Sequence, residues 1–233
     1  MVPQMVPQMV PQMVPLPGGV RARLPRRDAA ARAHLEEVGR AARPVSLAHE
    51  RVLALGSSLA PLVPQGVLPR GAVVRVAGQS GAGVTSLGLE LAAACTAAGE
   101  WAAAVDPEGT LGMLAAREAG VDLVRFAVAR RVPPARWASV VAALLDGMSL
   151  VLADVPTGGV GVADARRLVA RARERETVLV VAGSWPADAA LTLYARGSEW
   201  GVAGEVHHLG ARRLHVHAEA RAGGRDGVLA RAG

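Results

Sequence analysis

The chain has 233 residues, 51% of them hydrophobic, a net charge of +6 and one cysteine, Cys95; that length holds one substantial domain with appendages, and a lone cysteine excludes an internal disulfide or a cysteine-built zinc site. All 26 basic residues are arginine, and lysine, asparagine and isoleucine are absent; those three have A/T-rich codons, so a GC-rich genome accounts for much of the basicity and the charge alone does not point to nucleic acid. Glu90, Glu100 and Asp106 interrupt the longest apolar stretch before it reaches the ~18–20 residues of a membrane span, and the N-terminus lacks a secretory plan, so the reading is a cytoplasmic protein without membrane contact.

Residues 1–17, MVPQMVPQMVPQMVPLP, repeat a tetrapeptide. Proline at every fourth position denies the segment both helix and central strand, so 1–26 is expected to be disordered. Met5, Met9 and Met13 are alternative starts to Met1. Asp28 then caps a short helix that Pro44 stops, with Ala31, Leu35, Val38 and Ala42 as its apolar stripe; 27–44 reads as a separate N-terminal helix. From 45 to 220 the pattern becomes regular. Apolar runs at 72–77, 101–105, 125–129, 149–153 and 177–182 alternate with helical patterns near 85–98, 110–119, 135–147 and 163–175. Such alternation specifies an α/β fold with a mainly parallel sheet and helices on both faces. Three further strands follow at 191–196, 202–209 and 212–219, with Gly210-Ala211 as a hairpin turn, giving the sheet an antiparallel edge. The last segment, 221–233, is rich in Gly, Arg and Ala and reads as a flexible tail.

The stretch GQSGAGVTS, residues 78–86, lies where the strand at 72–77 turns into a helix. Gly78, Gly83 and Thr85 meet the phosphate-loop pattern G-x-x-x-x-G-K-[ST], with Gly81 and Ser86 inside the same turn, but Val84 occupies the lysine position. Backbone amides at such a turn converge on an anion, aided by the helix dipole. Asp154 ends the apolar run LVLAD, where a nucleotidase holds a magnesium-bound water, and Asp106 and Glu108 follow an adjacent strand, where a base would orient water. A charged hydrogen-bonding partner is worth about 1.5–3 kcal/mol, or roughly 10- to 150-fold in affinity. Losing it weakens nucleotide binding and harms hydrolysis more, because the γ-phosphate needs that charge as it reacts. Arg70 and Arg75 are the arginines nearest in sequence, and Arg75 lies within the strand.

Over roughly 45–183 the chain resembles the ATPase core of RecA recombinases. It shares Leu55-Gly56, the GxLPxG before the strand, the loop, the D-x-E of 106–108 and the A-x-x-x-GVDL of 116–123. In its shortened length it is similar to the ImuA family, RecA-like accessory proteins of DNA-damage-induced mutagenesis that in actinobacteria act beside ImuB, a Y-family polymerase homologue, and an error-prone polymerase. The resemblance implies a RecA-like phosphate-loop fold, with Glu108 at the catalytic glutamate and Asp154 at the Walker B aspartate. It also implies a capacity for self-association. With the lysine replaced, it implies an SOS-linked accessory protein working by protein contact, with no cofactor or with ATP-magnesium held only weakly; a nucleotide-binding ATPase or a DNA-binding repair protein is the alternative. Counterparts of the two DNA-binding loops and of the RecA C-terminal domain are missing.

Outside the loop, the arginines of 163–175 alternate with the stripe Ala165, Leu168, Val169 and Ala172, which reads as a solvated helix face before a nucleic-acid surface. Trp101, Trp137, Trp185 and Trp200 read as core or interface anchors. With a turn at 210–211, His208, His215 and His217 share one face; three histidines can bind zinc, but without carboxylate or cysteine support the reading is a polar outer face and no metal.

Overall fold

The computed structural model describes residues 52–203, 208–220 and 223–231. The readings for 1–26, for the helix at 28–43 and for the alternative starts lie outside the described residues.

Each apolar run becomes a strand and each amphipathic pattern a helix, within a residue or three of expectation. Strands β1 (Val52–Ala54) and β2 (Val67–Pro69) pair antiparallel as a small separate sheet. The main run is β3 (Val73–Gly78), α1 (Val84–Ala97), β4 (Ala102–Asp106), α2 (Met113–Glu118), β5 (Phe126–Arg130), α3 (Pro134–Leu145), β6 (Leu150–Asp154), α4 (Val162–Glu174) and β7 (Val178–Ala182). Three long strands close the chain: β8 (Leu191–Ala203), β9 (His208–Ala220) and β10 (Gly223–Arg231). The eight-stranded sheet has the order β10-β9-β8-β3-β7-β6-β4-β5, parallel from β8 to β5 and antiparallel from β8 outward to β10.

Strands β6 and β7 read as unbroken apolar runs because both of their faces are covered. Val74, Val76, Leu150, Leu152, Val178 and Val180 pack with Leu87, Leu91 and Cys95 of α1 on one face. On the other, Val73, Val151, Ala153, Leu179 and Val181 meet Trp137, Val141 and Leu145 of α3 and the whole expected stripe of α4. Each fully buried aliphatic side chain contributes about 1.5–3 kcal/mol. Helix α1 comes close enough to β6 that a β-carbon on Gly88 would stand 2.7 Å from Leu152 Cδ1.

The C-terminal third differs from expectation. β8 is one strand rather than two, because bulges between Ala195 and Gly197 and between Trp200 and Val202 absorb the glycines that read as a break. The β8–β9 connection therefore falls between Ala203 and His208, and Gly210-Ala211 lies inside β9 rather than at a turn. The segment read as a flexible tail forms β10, in register with β9 from Gly223↔Ala220 to Arg231↔Arg212. Its glycines suit the packing: a β-carbon on Gly227 would collide with Leu62. Pairing, not intrinsic propensity, makes this strand. No described helix is long and apolar enough to cross a membrane.

Candidate functional site

The loop is built by the end of β3 and the start of α1. Gly81 (φ 77°) and Gly83 (φ 110°) take left-handed backbone that a side chain resists, and the turn closes through Ala82 N donating to Gln79 O at 3.0 Å. No side chain caps the N-terminus of α1, so its first amides are left to the space in front of the loop. That space is a cavity of about 330 Å³ lined by 78–81, 83–86 and Arg212. Val84 projects no charge into it; the side chain is half-buried, its Cγ2 3.0 Å from where a β-carbon on Gly78 would stand. A cavity of about 950 Å³ adjoins the loop cavity, sharing 78–81 and lined also by Tyr194, Arg196, His217 and Glu219.

The acids gather on the α1 side of the loop. β6 is separated from β3 by β7, and β4 lies beyond β6, so Asp106 is a neighbour of Asp154's strand and not of the loop's. A small cavity of about 80 Å³ is nevertheless lined by Val84, Thr85, Asp106 and Asp154 together. Asp106 is 3% exposed, and its carboxylate accepts from Thr110 N at 3.0 Å and Leu111 N at 2.9 Å. It closes the turn after β4 and has little left for a ligand. Glu108 is exposed and accepts from Thr157 Oγ1 at 3.4 Å. Burial pushes the Asp154 carboxyl above the usual range, and the charges of Asp106 and Glu108 push it further. A cationic neighbour would reverse that shift. The peptide carbonyl of Asp154 accepts from Trp137 Nε1 at 2.7 Å, which ties α3 to this strand end.

Of the residues the sequence singled out, Gly78, Gly81, Gly83, Thr85 and Ser86 line the loop cavity, while Asp154 lies beyond Thr85 with Glu108 acting on it through its charge. Arg70 pairs with Glu100 and Arg75 is half-buried within β3; neither lines the loop cavity. The arginine that does is Arg212, from β9. Its Nη1 donates to Ser86 Oγ at 3.2 Å, and its Nη2 to Ser198 Oγ at 3.0 Å and to the Gly81 carbonyl at 3.5 Å. A signal for it existed: Arg212 stands in a period-two row with Leu214, Val216 and Ala218, all buried. That row places Arg212 on an inward face but not against the loop, because the turn expected at 210–211 gives the wrong register between β8 and β9.

The other sites resolve more simply. Cys95 is buried, with burial and then Glu100 pushing its thiol up to about 12 against the charge of Arg70, so it is an inert core residue. On α4 and just beyond it, Arg167 pairs with Asp164, while Arg171 and Arg175 both pair with Asp146, in keeping with a solvated face. His217 Nδ1 lies 2.8 Å from Asp226, His215 Nε2 lies 3.5 Å from Glu199, and His208 starts the same strand instead of facing them across a turn. Among the described residues no group of three or more His, Cys, Asp and Glu is arranged to hold a metal ion. Trp137 and Trp185 are buried and Trp101 is half-exposed; the Trp200 side chain lies outside the described residues.

Two comparisons bear on this arrangement. The family model described as the MT3502 N-terminal domain matches residues 61–187, more than half of the chain, from just before β2 to just past β7. The chain is also 40% identical over 146 residues to the uncharacterized protein Rv3395c of Mycobacterium tuberculosis, covering 61% of this chain and 68% of that protein. That relative accords with the actinobacterial group expected from the sequence.

Proposed function

The chain belongs to the family of the MT3502 N-terminal domain; from the loop geometry and the resemblance in its sequence we propose that it is a RecA-like accessory protein of DNA-damage-induced mutagenesis, acting through protein contacts without ATP turnover. The observation that carries this reading is the pairing of a kept phosphate-loop backbone with Val84 at the position of its cation. The strand-to-glycine-to-helix turn, the acid at the end of β6 and the antiparallel edge support RecA-like ancestry. Val84 at the position of the cation and the backbone-bound Asp106 speak against hydrolysis. Loop amides, Thr85 and Asp154 fit a nucleotide's phosphates and magnesium in position, but the loop itself brings no positive charge, so no catalytic step is assigned to them.

The proposed partners are an ImuB-like Y-family polymerase homologue and the error-prone polymerase beside it. Co-purification of the full chain with the ImuB homologue of the same genome tests this; stable folded protein that fails to retain the homologue at micromolar concentration rejects it.

One observation favours a second reading, a nucleotide-binding protein: Arg212 lines the loop cavity and supplies a guanidinium where the loop offers no cation. Calorimetric titration with ATP-magnesium separates the two, since micromolar or tighter binding establishes the second.

A further inference from the structure

β9 touches the loop at two successive inward positions. Leu214 packs under Gly83, its Cδ1 2.5 Å from where a β-carbon on that glycine would stand. Arg212, two residues earlier on the same face, hydrogen-bonds to the loop at its middle, through the Gly81 carbonyl, and at its helical end, through Ser86 Oγ, while Ser198 on β8 holds its Nη2. An arginine in a row of buried aliphatic residues costs desolvation and is kept only with hydrogen-bonding partners, and here two of those partners belong to the loop.

The loop needs such support. Residues 78–81 are exposed, and Gly81 and Gly83 lose more conformational freedom on ordering than any other residue type would. A short glycine-rich turn of this kind belongs to the low-stability end of local opening. In a phosphate loop with its lysine, the charged side chain and the bound phosphate both draw the backbone into shape. Val84 removes the first of these aids and weakens the second.

We propose that Arg212 is a latch: a positioning residue on β9 that holds the loop in its cradling shape from outside, in place of the ordering that a loop lysine and a phosphate ligand share. Leu214 is the apolar half of the same grip. The cradle is thereby ordered without a ligand, by a residue more than a hundred positions away in sequence. This role is independent of which partner the protein has.

Hydrogen–deuterium exchange of the full chain tests it, read for segment 79–86 against β6 as an internal reference. Arg212→Ala is expected to speed exchange of 79–86 by about tenfold or more and to leave β6 unchanged. Arg212→Lys, whose single ammonium cannot span the same acceptors, falls between the two. Arg213→Ala, an exposed neighbour on the same strand, behaves as wild type. Millimolar inorganic pyrophosphate adds no protection to the wild-type loop. Should Arg212→Ala also loosen β6, Ser86→Ala and Ser198→Ala decide, since each removes one acceptor and each is expected to speed 79–86 alone. Unchanged loop exchange in these variants, or an equal effect of Arg213→Ala, overturns the latch. So does protection by pyrophosphate that Arg212→Ala abolishes, which makes Arg212 a phosphate ligand instead.

Discussion

Leu214 of β9 packs against Gly83 so closely that its Cδ1 lies 2.5 Å from where a β-carbon on the glycine would stand, and Gly83 itself has φ 110°. The last glycine of the loop is therefore required twice, for backbone conformation and for space. Gly83→Ala is expected to destabilise the protein by about 2–4 kcal/mol, combining strain and overpacking. Leu214→Ala opens the space but leaves the φ penalty, so the double variant is less destabilised than the sum of the singles. Urea denaturation of the four proteins measures this, and strict additivity would show that the contact does not matter.

Trp137 joins α3 to the end of β6 through its 2.7 Å hydrogen bond to the Asp154 carbonyl, and it is 1% exposed. Trp137→Phe keeps most of the buried surface and removes the donor, at an expected cost of about 1–2 kcal/mol. Trp137→Ala adds a cavity and is expected to cost about 3–5 kcal/mol. If both substitutions cost the same, the hydrogen bond rather than the packing carries the residue's contribution. Thermal unfolding followed by circular dichroism distinguishes the outcomes.

The parallel half of the fold was legible because its signals are local. LVLAD and VLVVA announce strands buried on both faces, and the stripe Ala165, Leu168, Val169 and Ala172 announces the buried side of α4, as observed. The antiparallel edge was less so. Gly197 reads as a break but sits at a bulge, and Gly227 reads as flexibility but makes room for Leu62. The same word, glycine, has a different meaning when a neighbouring strand supplies the order. The loop glycines, Thr85, Ser86 and Asp154 were legible from spacing. Arg212 was not, since its meeting with Ser86 depends on the register of β8 and β9.

Placing a cation at position 84 tests the proposed phosphate-loop reading. Val84 lines the cavity it shares with Asp106 and Asp154, so the ammonium of Val84→Lys would have both the loop and the acids within reach. Affinity for ATP-magnesium is expected to rise by roughly 10- to 150-fold over wild type. Wild type itself is expected to show no magnesium-dependent ATP hydrolysis. Calorimetry and a phosphate-release assay read the two quantities separately. Turnover by the wild-type protein that Asp154→Ala abolishes would overturn the non-catalytic reading.

Asp154 should leave its mark on stability as a function of pH. Its carboxyl is raised above the ordinary value of 3.8, first by burial and then by Asp106 and Glu108. Between 3.8 and that raised value the native state holds the proton more tightly than the unfolded chain does. Stability from this group is therefore fully present below 3.8 and is lost as pH rises through the folded value, leaving a constant deficit at neutral pH. Asp154→Asn removes the deficit, so it is expected to melt higher than wild type at about pH 7, with the difference closing as pH falls toward the unfolded value. Val84→Lys, by placing a cation beside the carboxylate, is expected to bring its titration back down and flatten the same profile. Melting temperatures from about pH 3 to pH 8 for the three proteins check this, and an Asp154→Asn variant less stable than wild type at neutral pH would show that the carboxylate contributes a contact that its burial conceals.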